Sequence, residues 1–343
     1  MQTPRRTFGF VVLLGLLVLA TGPAGALKIK LAHPVPPGSI WDKVLEEMGA
    51  EWRDATGGEV RLIIFPGGVA GPDDTVIRKL RLGQLHAASL SYIGLTNLDE
   101  AFEVFTIPLF FDTYEEFFCV LDGLEPVLRQ RLEAKGMVLL SWGLGGWAYF
   151  FTKSPVGAVA DIKRMRMFTA TGDPEMVQIF RRNGFRPVAL ATTDIMSGLE
   201  TGMFESLPTT PLAALAFQWY RTIGYMHELG LGPVIGATVI SKQSWEQITK
   251  QHRSILLKSA KSAETRLREE IPAQERQAIQ EMKRRGLTVT TGSDPLEWQR
   301  EADRLSDSMR GSVVPDKIFG QALAERTACR QRISTAGIPT EKN

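Results

Sequence analysis

The sequence predicts an α/β protein of two lobes with a ligand cleft between them. Three observations lead there. From Leu27 to Tyr92 the hydrophobic pattern runs strand, helix, strand, helix, strand, an order that implies a largely parallel sheet with right-handed crossovers. Glycine-rich stretches such as Gly143-Leu-Gly-Gly146 fall between apolar strands and read as crossings between lobes. A chain of 343 residues is long enough for two domains.

The first residues stand apart from this pattern. Arg5 and Arg6 precede an apolar run from Phe8 to Ala20, and Thr-Gly-Pro-Ala-Gly-Ala26 follows. A basic start, a short apolar core and a small-residue site have the form of a secretory leader, so residues 1–26 are expected to be cleaved. The alternative is an uncleaved anchor, for which the run is short. Removing the leader takes away Arg5 and Arg6 and no acid, so the formal charge of +2 falls to zero. That balance offers nothing to nucleic acid or to an anionic membrane. The only cysteines are Cys119 and Cys329. Export permits a disulfide, and closing so long a loop contributes about 4–5 kcal/mol in the chain-entropy picture. The alternative is a buried free thiol at Cys119.

Each element has a local reason. Leu27-Lys-Ile-Lys-Leu alternates as a strand does. Ser39 is placed to cap a helix carrying Trp41, Val44, Leu45, Met48 and Trp52 at helical spacing, which Gly57-Gly58 stops. Glu59–Phe65 is a second strand. Asp73 and Asp74 open a helix over 75–82, where acids suit the positive end, and residues 86–92 form a third strand. An apolar segment over 102–111 leads to helices at 114–121 and 126–135. Strands at 137–142 and 147–152 flank the glycine crossing. Asp161-Ile-Lys163 is a turn before a strand from about Arg164 to Thr169, with Met165, Met167 and Thr169 on one face and Arg164, Arg166 and Phe168 on the other. Helices at 174–183 and 194–202 enclose a strand at 187–190. Pro211 begins a helix over 212–221. Strand 234–241 precedes a long, charged, helical segment from Ser244 to about Arg285, which Pro272 is expected to break or kink. A strand at 287–291 and a helix at 296–310 follow, and residues 331–343 are expected to form a flexible tail.

The chemistry-bearing residues give few enzyme signals. The four histidines are scattered, no H-E-x-x-H spacing occurs, and there is no G-x-S-x-G elbow or Walker loop. No cofactor or metal is expected. Strand ends in α/β sheets are where ligands are held, and the strand ending Thr169-Ala-Thr-Gly-Asp-Pro174 is the candidate. An exported two-lobed chain with a cleft reads as a binding protein that closes on a small solute. An exported enzyme is the reading of a different class.

The order of motifs resembles the extracytoplasmic substrate-binding subunits of tripartite ATP-independent periplasmic (TRAP) transporters, the dicarboxylate-binding-like class. The resemblance rests on Leu27-Lys-Ile-Lys-Leu-Ala-His-Pro, Phe65-Pro-Gly-Gly68, Arg81-Leu-Gly-Gln-Leu, Ile107-Pro-Leu-Phe-Phe-Asp-Thr-Tyr114, Asp161-Ile-Lys163 and Leu199-Glu-Thr-Gly202, in that order. It implies lobe one at 27–145 plus 236–275, lobe two at 146–235 plus 276–330, and a long helix along both. It also implies periplasmic capture of an organic solute and its delivery to membrane permease subunits, with a helical-repeat protein as a further partner. Family members carry an arginine that pairs with the ligand carboxylate; aligned on Asp161-Ile-Lys163, that position is Phe168, and Arg166 is the nearest cation on the same strand face. The expected ligand is therefore more apolar than a C4-dicarboxylate. Phe168, Trp147 and Tyr149 would wall the site, Thr169, Thr171, Thr209 and Thr210 would supply hydroxyls, and Trp41 and Tyr92 would close it. A carboxylate receptor using Arg166 or Arg186 is the rival.

Overall fold

The computed structural model describes residues 26–171, 174–292 and 294–335. The expected leader at residues 1–26, apart from Ala26, lies outside them, as do Gly172 and Asp173 of the strand-end motif and the end of the chain from residue 336. Among the described residues ten strands are formed: β1 (Leu27–Ala32), β2 (Val60–Phe65), β3 (Ala87–Leu90), β4 (Met137–Thr152), β5 (Arg166–Ala170), β6 (Arg186–Leu190), β7 (Ser206–Thr209), β8 (Tyr225–His227), β9 (Gly232–Ser241) and β10 (Thr288–Thr290). Their order is β2-β1-β3-β9-β4-β7-β5-β6, with β8 joining β4 to β10.

The first wing is built as the pattern dictates. β1 buries Ile29 and Leu31 and leaves its lysines outward. It pairs in parallel with β2 and β3. The connecting helix Ile40–Ala55 turns Val44, Leu45, Met48 and Trp52 inward, and the Ser39 hydroxyl accepts the Asp42 amide at its start. The second wing repeats the parallel arrangement, with β5 between β6 and β7. The sheet is nevertheless mixed rather than largely parallel. β9 runs antiparallel to both β3 and β4, and β4 antiparallel to β7 and β8. The strand–glycine–strand reading of residues 137–152 gives way to one 16-residue strand, because β9 pairs with it through the glycines. That pairing slips between Leu139 and Ser141 and between Leu144 and Gly146, the signature of bulges that bend a strand.

Three other expectations change. Of the break or kink expected at Pro272, the break does not occur: the helix is continuous over Lys250–Arg284. A mid-helix proline costs about 3 kcal/mol, and burial of Leu267, Ile271 and Ala278 along one face opposes that cost. Pro126 likewise sits inside a single helix, Tyr114–Ala134. The turn at Asp161 is a short helix, Val159–Arg164, so the strand begins at Arg166. Residues 331–335 are not tail: they complete the helix Asp316–Thr335. Cys329 on that helix is bonded to Cys119 on Tyr114–Ala134, a separation of 210 residues. Arg330 adds ion pairs to Glu116 and Asp112 at 2.8 and 3.0 Å.

Candidate functional site

A cavity of about 230 Å³ lies between the two wings, small beside most ligand sites. The strand end of β5 supplies Phe168, Thr169, Ala170 and Thr171. The first wing supplies Tyr92 and residues 105–109, which begin in the last residues of the 3₁₀ turn Glu100–Thr106. β9 contributes its first residues, and the helix Pro295–Met309 contributes Trp298, Glu301 and Leu305. Phe180 and Phe185 close the wall beside β6.

β5 is covered on both faces, so alternate residues serve different cores. Met167 belongs to the core shared with the first wing, whereas Phe168 packs with Phe151 and Phe204, its ring 5.5 Å from that of Phe204. Thr169 faces the cavity with its hydroxyl buried and without a hydrogen-bond partner, and the indole N–H of Trp298 is in the same condition. Two carboxylates reach the lining. Glu103 accepts the Thr106 hydroxyl at 2.9 Å. Glu301 lies 2.6 Å from the Lys163 ammonium and is also paired with Arg304. Among the described lining residues there is no Lys, Arg or His. Burial, with the negative charge of Glu103 and Asp73, holds the Tyr92 phenol well above its ordinary value.

Of the residues singled out from the sequence, Phe168, Thr169, Thr171 and Tyr92 meet at this cavity. The others are placed elsewhere. Arg166 is exposed and paired with Glu205 at 3.3 Å, and exposed Arg186 donates to the Arg164 carbonyl, so neither cation reaches the lining. Thr209 sits opposite Tyr149 in the β4–β7 ladder. Thr210 caps the helix Pro211–Ala216. Trp41 donates its indole N–H to the Leu144 carbonyl at 2.8 Å. Trp147 is buried with its ring 5.0 Å from that of Tyr114.

Trp147 and Tyr149 belong instead to the crossing. The first register slip of β4 precedes Trp142 and the second precedes Trp147. Glu264 on the long helix accepts the Trp142 amide at 3.0 Å, and Glu275 accepts the Trp147 amide at 2.6 Å and the Tyr114 hydroxyl. Eleven residues is about three helical turns, so both carboxylates project from one face. A side chain at Gly146, whose φ is +109°, would come 2.5 Å from a Glu275 oxygen. Burial pushes the Glu275 carboxyl up to about 7 against the pull of its hydrogen bonds.

Sequence reasoning missed Glu103, Phe105, Trp298 and Glu301. Trp298 was legible only as the inward residue of an outer helix; nothing local marks it as cavity wall. Among the described residues no group of three or more His, Cys, Asp or Glu is gathered as for a metal, and no helix is long and apolar enough to cross a membrane.

Two wings, a bent pair of strands passing between them and a cavity at the join define a two-lobed binding protein. Residues 31–311 match the bacterial extracellular solute-binding protein family 7, and the chain belongs to that family, as the TRAP resemblance implies. It is 22% identical over 314 residues to the 2,3-diketo-L-gulonate-binding periplasmic protein of Escherichia coli, covering 90% of this chain and 94% of that one. The fold is shared with a TRAP periplasmic solute-binding protein of Pseudomonas putida F1 with bound D-glucuronate, at 23% identity and a TM-score of 0.77, covering 89% of this chain and 97% of the other. It is also shared with a Bordetella pertussis extracytoplasmic solute receptor binding pyroglutamic acid, at 20% identity and a TM-score of 0.80, covering 88% and 100%.

Proposed function

We propose that this chain is the periplasmic receptor of a TRAP-type transporter, that it captures one small organic solute in the cavity at the end of β5, and that it delivers the solute to membrane permease subunits. The solute is more apolar than a C4-dicarboxylate. The single observation that carries this reading is Phe168 in the cavity wall together with the lack of any cation among the described lining residues. Family membership supports solute capture and delivery. The relatives named above bind acids, and the chemistry of this lining argues for a departure from them. Removing one partner of a buried charge pair costs about 2–5 kcal/mol, while a micromolar site has only about 8 kcal/mol in all. The proposal keeps the lobes at 27–145 plus 236–275 and 146–235 plus 276–330, with β4 and β9 as the strands that pass between them.

The test is the identity of the solute that co-purifies, by mass spectrometry of the denatured protein, followed by calorimetry. An apolar solute binding with a large negative heat-capacity change is the expected outcome. Tight binding of a simple dicarboxylate, abolished by Arg166→Ala, would establish the carboxylate rival instead.

A further inference from the structure

We infer that the Cys119–Cys329 bond is a redox latch on the cavity wall: a dithiol opens it in the folded protein, and opening it frees residues 105–110 of the wall from the C-terminal helix that braces them. The inference goes beyond solute capture and does not depend on the nature of the solute.

The helix Asp316–Thr335 follows the cavity helix Pro295–Met309 in the chain but packs on the first wing, against Tyr114–Ala134 and the 3₁₀ turn Glu100–Thr106. Its contacts lead to the cavity. Arg326 donates to the Phe110 carbonyl at 2.7 Å and lays its guanidinium over the Phe110 ring. The Phe319 ring lies 6.2 Å from that of Phe110. From there the rings run inward, Phe110 to Phe111 at 5.0 Å and Phe111 to Phe105 at 6.3 Å, and Phe105 is on the lining. This wall needs holding. Leu109, also on the lining, has a φ of +54°, a left-handed conformation that leucine rarely adopts and that persists only where neighbours impose it. On one side its amide donates to the Leu231 carbonyl at 2.7 Å; on the other, Arg326 holds the next carbonyl along the chain.

The bond is what fastens the brace. The helix buries only Ile318, Phe319, Ala322 and Cys329, so little apolar surface holds it down. The Arg330 ion pairs with Glu116 and Asp112 are half-exposed on the arginine side, where such pairs hold weakly. The bond is also placed to be opened. Cys119 is half-buried and Cys329 wholly buried, so an incoming thiolate attacks the Cys119 sulfur. The S–S bond breaks and its electron pair leaves on Cys329. The Arg332 guanidinium stands 3.2 and 3.3 Å from the two sulfurs, farther from its Glu325 partner at 3.9 Å, and a cation beside a leaving thiolate favours its departure. The second thiol of the reductant then displaces Cys119 from the mixed disulfide. Two electrons and two protons pass to the cysteine pair, and the dithiol becomes a disulfide.

The experiment treats the mature protein with dithiothreitol under native conditions. Thiols are counted by alkylation and mass spectrometry, and amide hydrogen exchange is followed peptide by peptide. Two thiols should appear with the far-UV circular dichroism unchanged. Exchange in peptides covering residues 105–111 should quicken by about tenfold or more, roughly the worth of one hydrogen bond from a charged donor, while β1 and β2 keep their rates. Cys119→Ser combined with Cys329→Ser should reproduce the reduced pattern. Should that pair fail to fold, Arg326→Ala should quicken the same peptides with the bond intact. A bond that resists dithiothreitol until the protein unfolds would overturn the latch. So would a reduction that leaves residues 105–111 unchanged, or one that quickens exchange evenly along the chain, since either makes the bond a plain staple. The mass spectrum of the co-purified solute is untouched by any of these results, so the solute reading is decided separately.

Discussion

The crossing of β4 and the cavity beside β5 both bury polar atoms among aromatic rings, and they differ in how their side-chain oxygens are paired. At the crossing every carboxylate oxygen of Glu264 and Glu275 has a donor: the Trp142 and Trp147 amides, the Tyr114 hydroxyl, and the Lys261 and Arg268 cations. In the cavity the Thr169 hydroxyl and the Trp298 indole are as deeply buried and have no partner. Burying a polar atom unpaired costs about 1–3 kcal/mol. The indole N–H of Trp147 at the crossing is unpartnered too, so the contrast lies between the paired carboxylates of the crossing and the open hydroxyl of the cavity, which is the proposed solute site.

The strongest way to break that comparison is to open the crossing. Glu275→Leu leaves the Trp147 amide and the Tyr114 hydroxyl without acceptors, and the expected loss is about 2–6 kcal/mol in urea-melt stability. A loss below about 1 kcal/mol would mean that the crossing does not depend on this carboxylate.

The next effect is on pH dependence. The Glu275 carboxyl is pushed up to about 7 in the fold, from an ordinary 4.5. Between those values the folded chain keeps a proton that the unfolded chain has released. Stability from this group is therefore fully present below about pH 4.5 and falls as pH rises toward 7, by on the order of 3 kcal/mol. Glu275→Gln has no such proton to lose. The difference in stability between wild type and Glu275→Gln should drift across that window and level off above it. A difference that stays flat from pH 4.5 to 7 would place the carboxyl at its ordinary value.

The smallest effect is the sharpest contrast. Thr169→Val removes a buried hydroxyl with almost no change of shape, and without ligand it should leave stability unchanged or raise it by about 1 kcal/mol. Destabilisation beyond about 1 kcal/mol would show that the hydroxyl serves the fold, and the comparison would fail at its second half.

Much of the fold was legible in the chain. The alternation of Leu27–Leu31, the spacing of Val44, Leu45, Met48 and Trp52, and the Ser39 cap all act within a few residues, and the structure realises each of them. The misses are of another kind. The break expected at Pro272 rests on a local penalty, which burial of Leu267, Ile271 and Ala278 across a helix face opposes. The three-residue strand β8 carries no periodic signal; its pairing with β4 and β10 creates it. The helix Asp316–Thr335 buries only Ile318, Phe319, Ala322 and Cys329, too few for a clear apolar stripe, and the disulfide and the arginine contacts hold it down. At the site, the strand period put Thr169 and Phe168 on opposite faces of β5, as found. It does not say which aromatics share their surroundings: the cavity beside Thr169 is lined by Phe105 and Trp298, while Trp147 and Tyr149 lie at the crossing.

The sequence by itself determined the α/β class, most of the elements and the family. These depend on local periodicity and on the order of motifs, which are properties of the chain read in one dimension. Only the tertiary structure decided that Arg166 is spent on Glu205, that Glu264 and Glu275 complete the crossing, and that Glu103 and Thr169 come from distant segments to line one cavity. Hydrogen bonding and desolvation act through space. Whether a buried oxygen is satisfied depends on atoms that the folded chain brings within about 3 Å, and no spacing along the sequence encodes that distance.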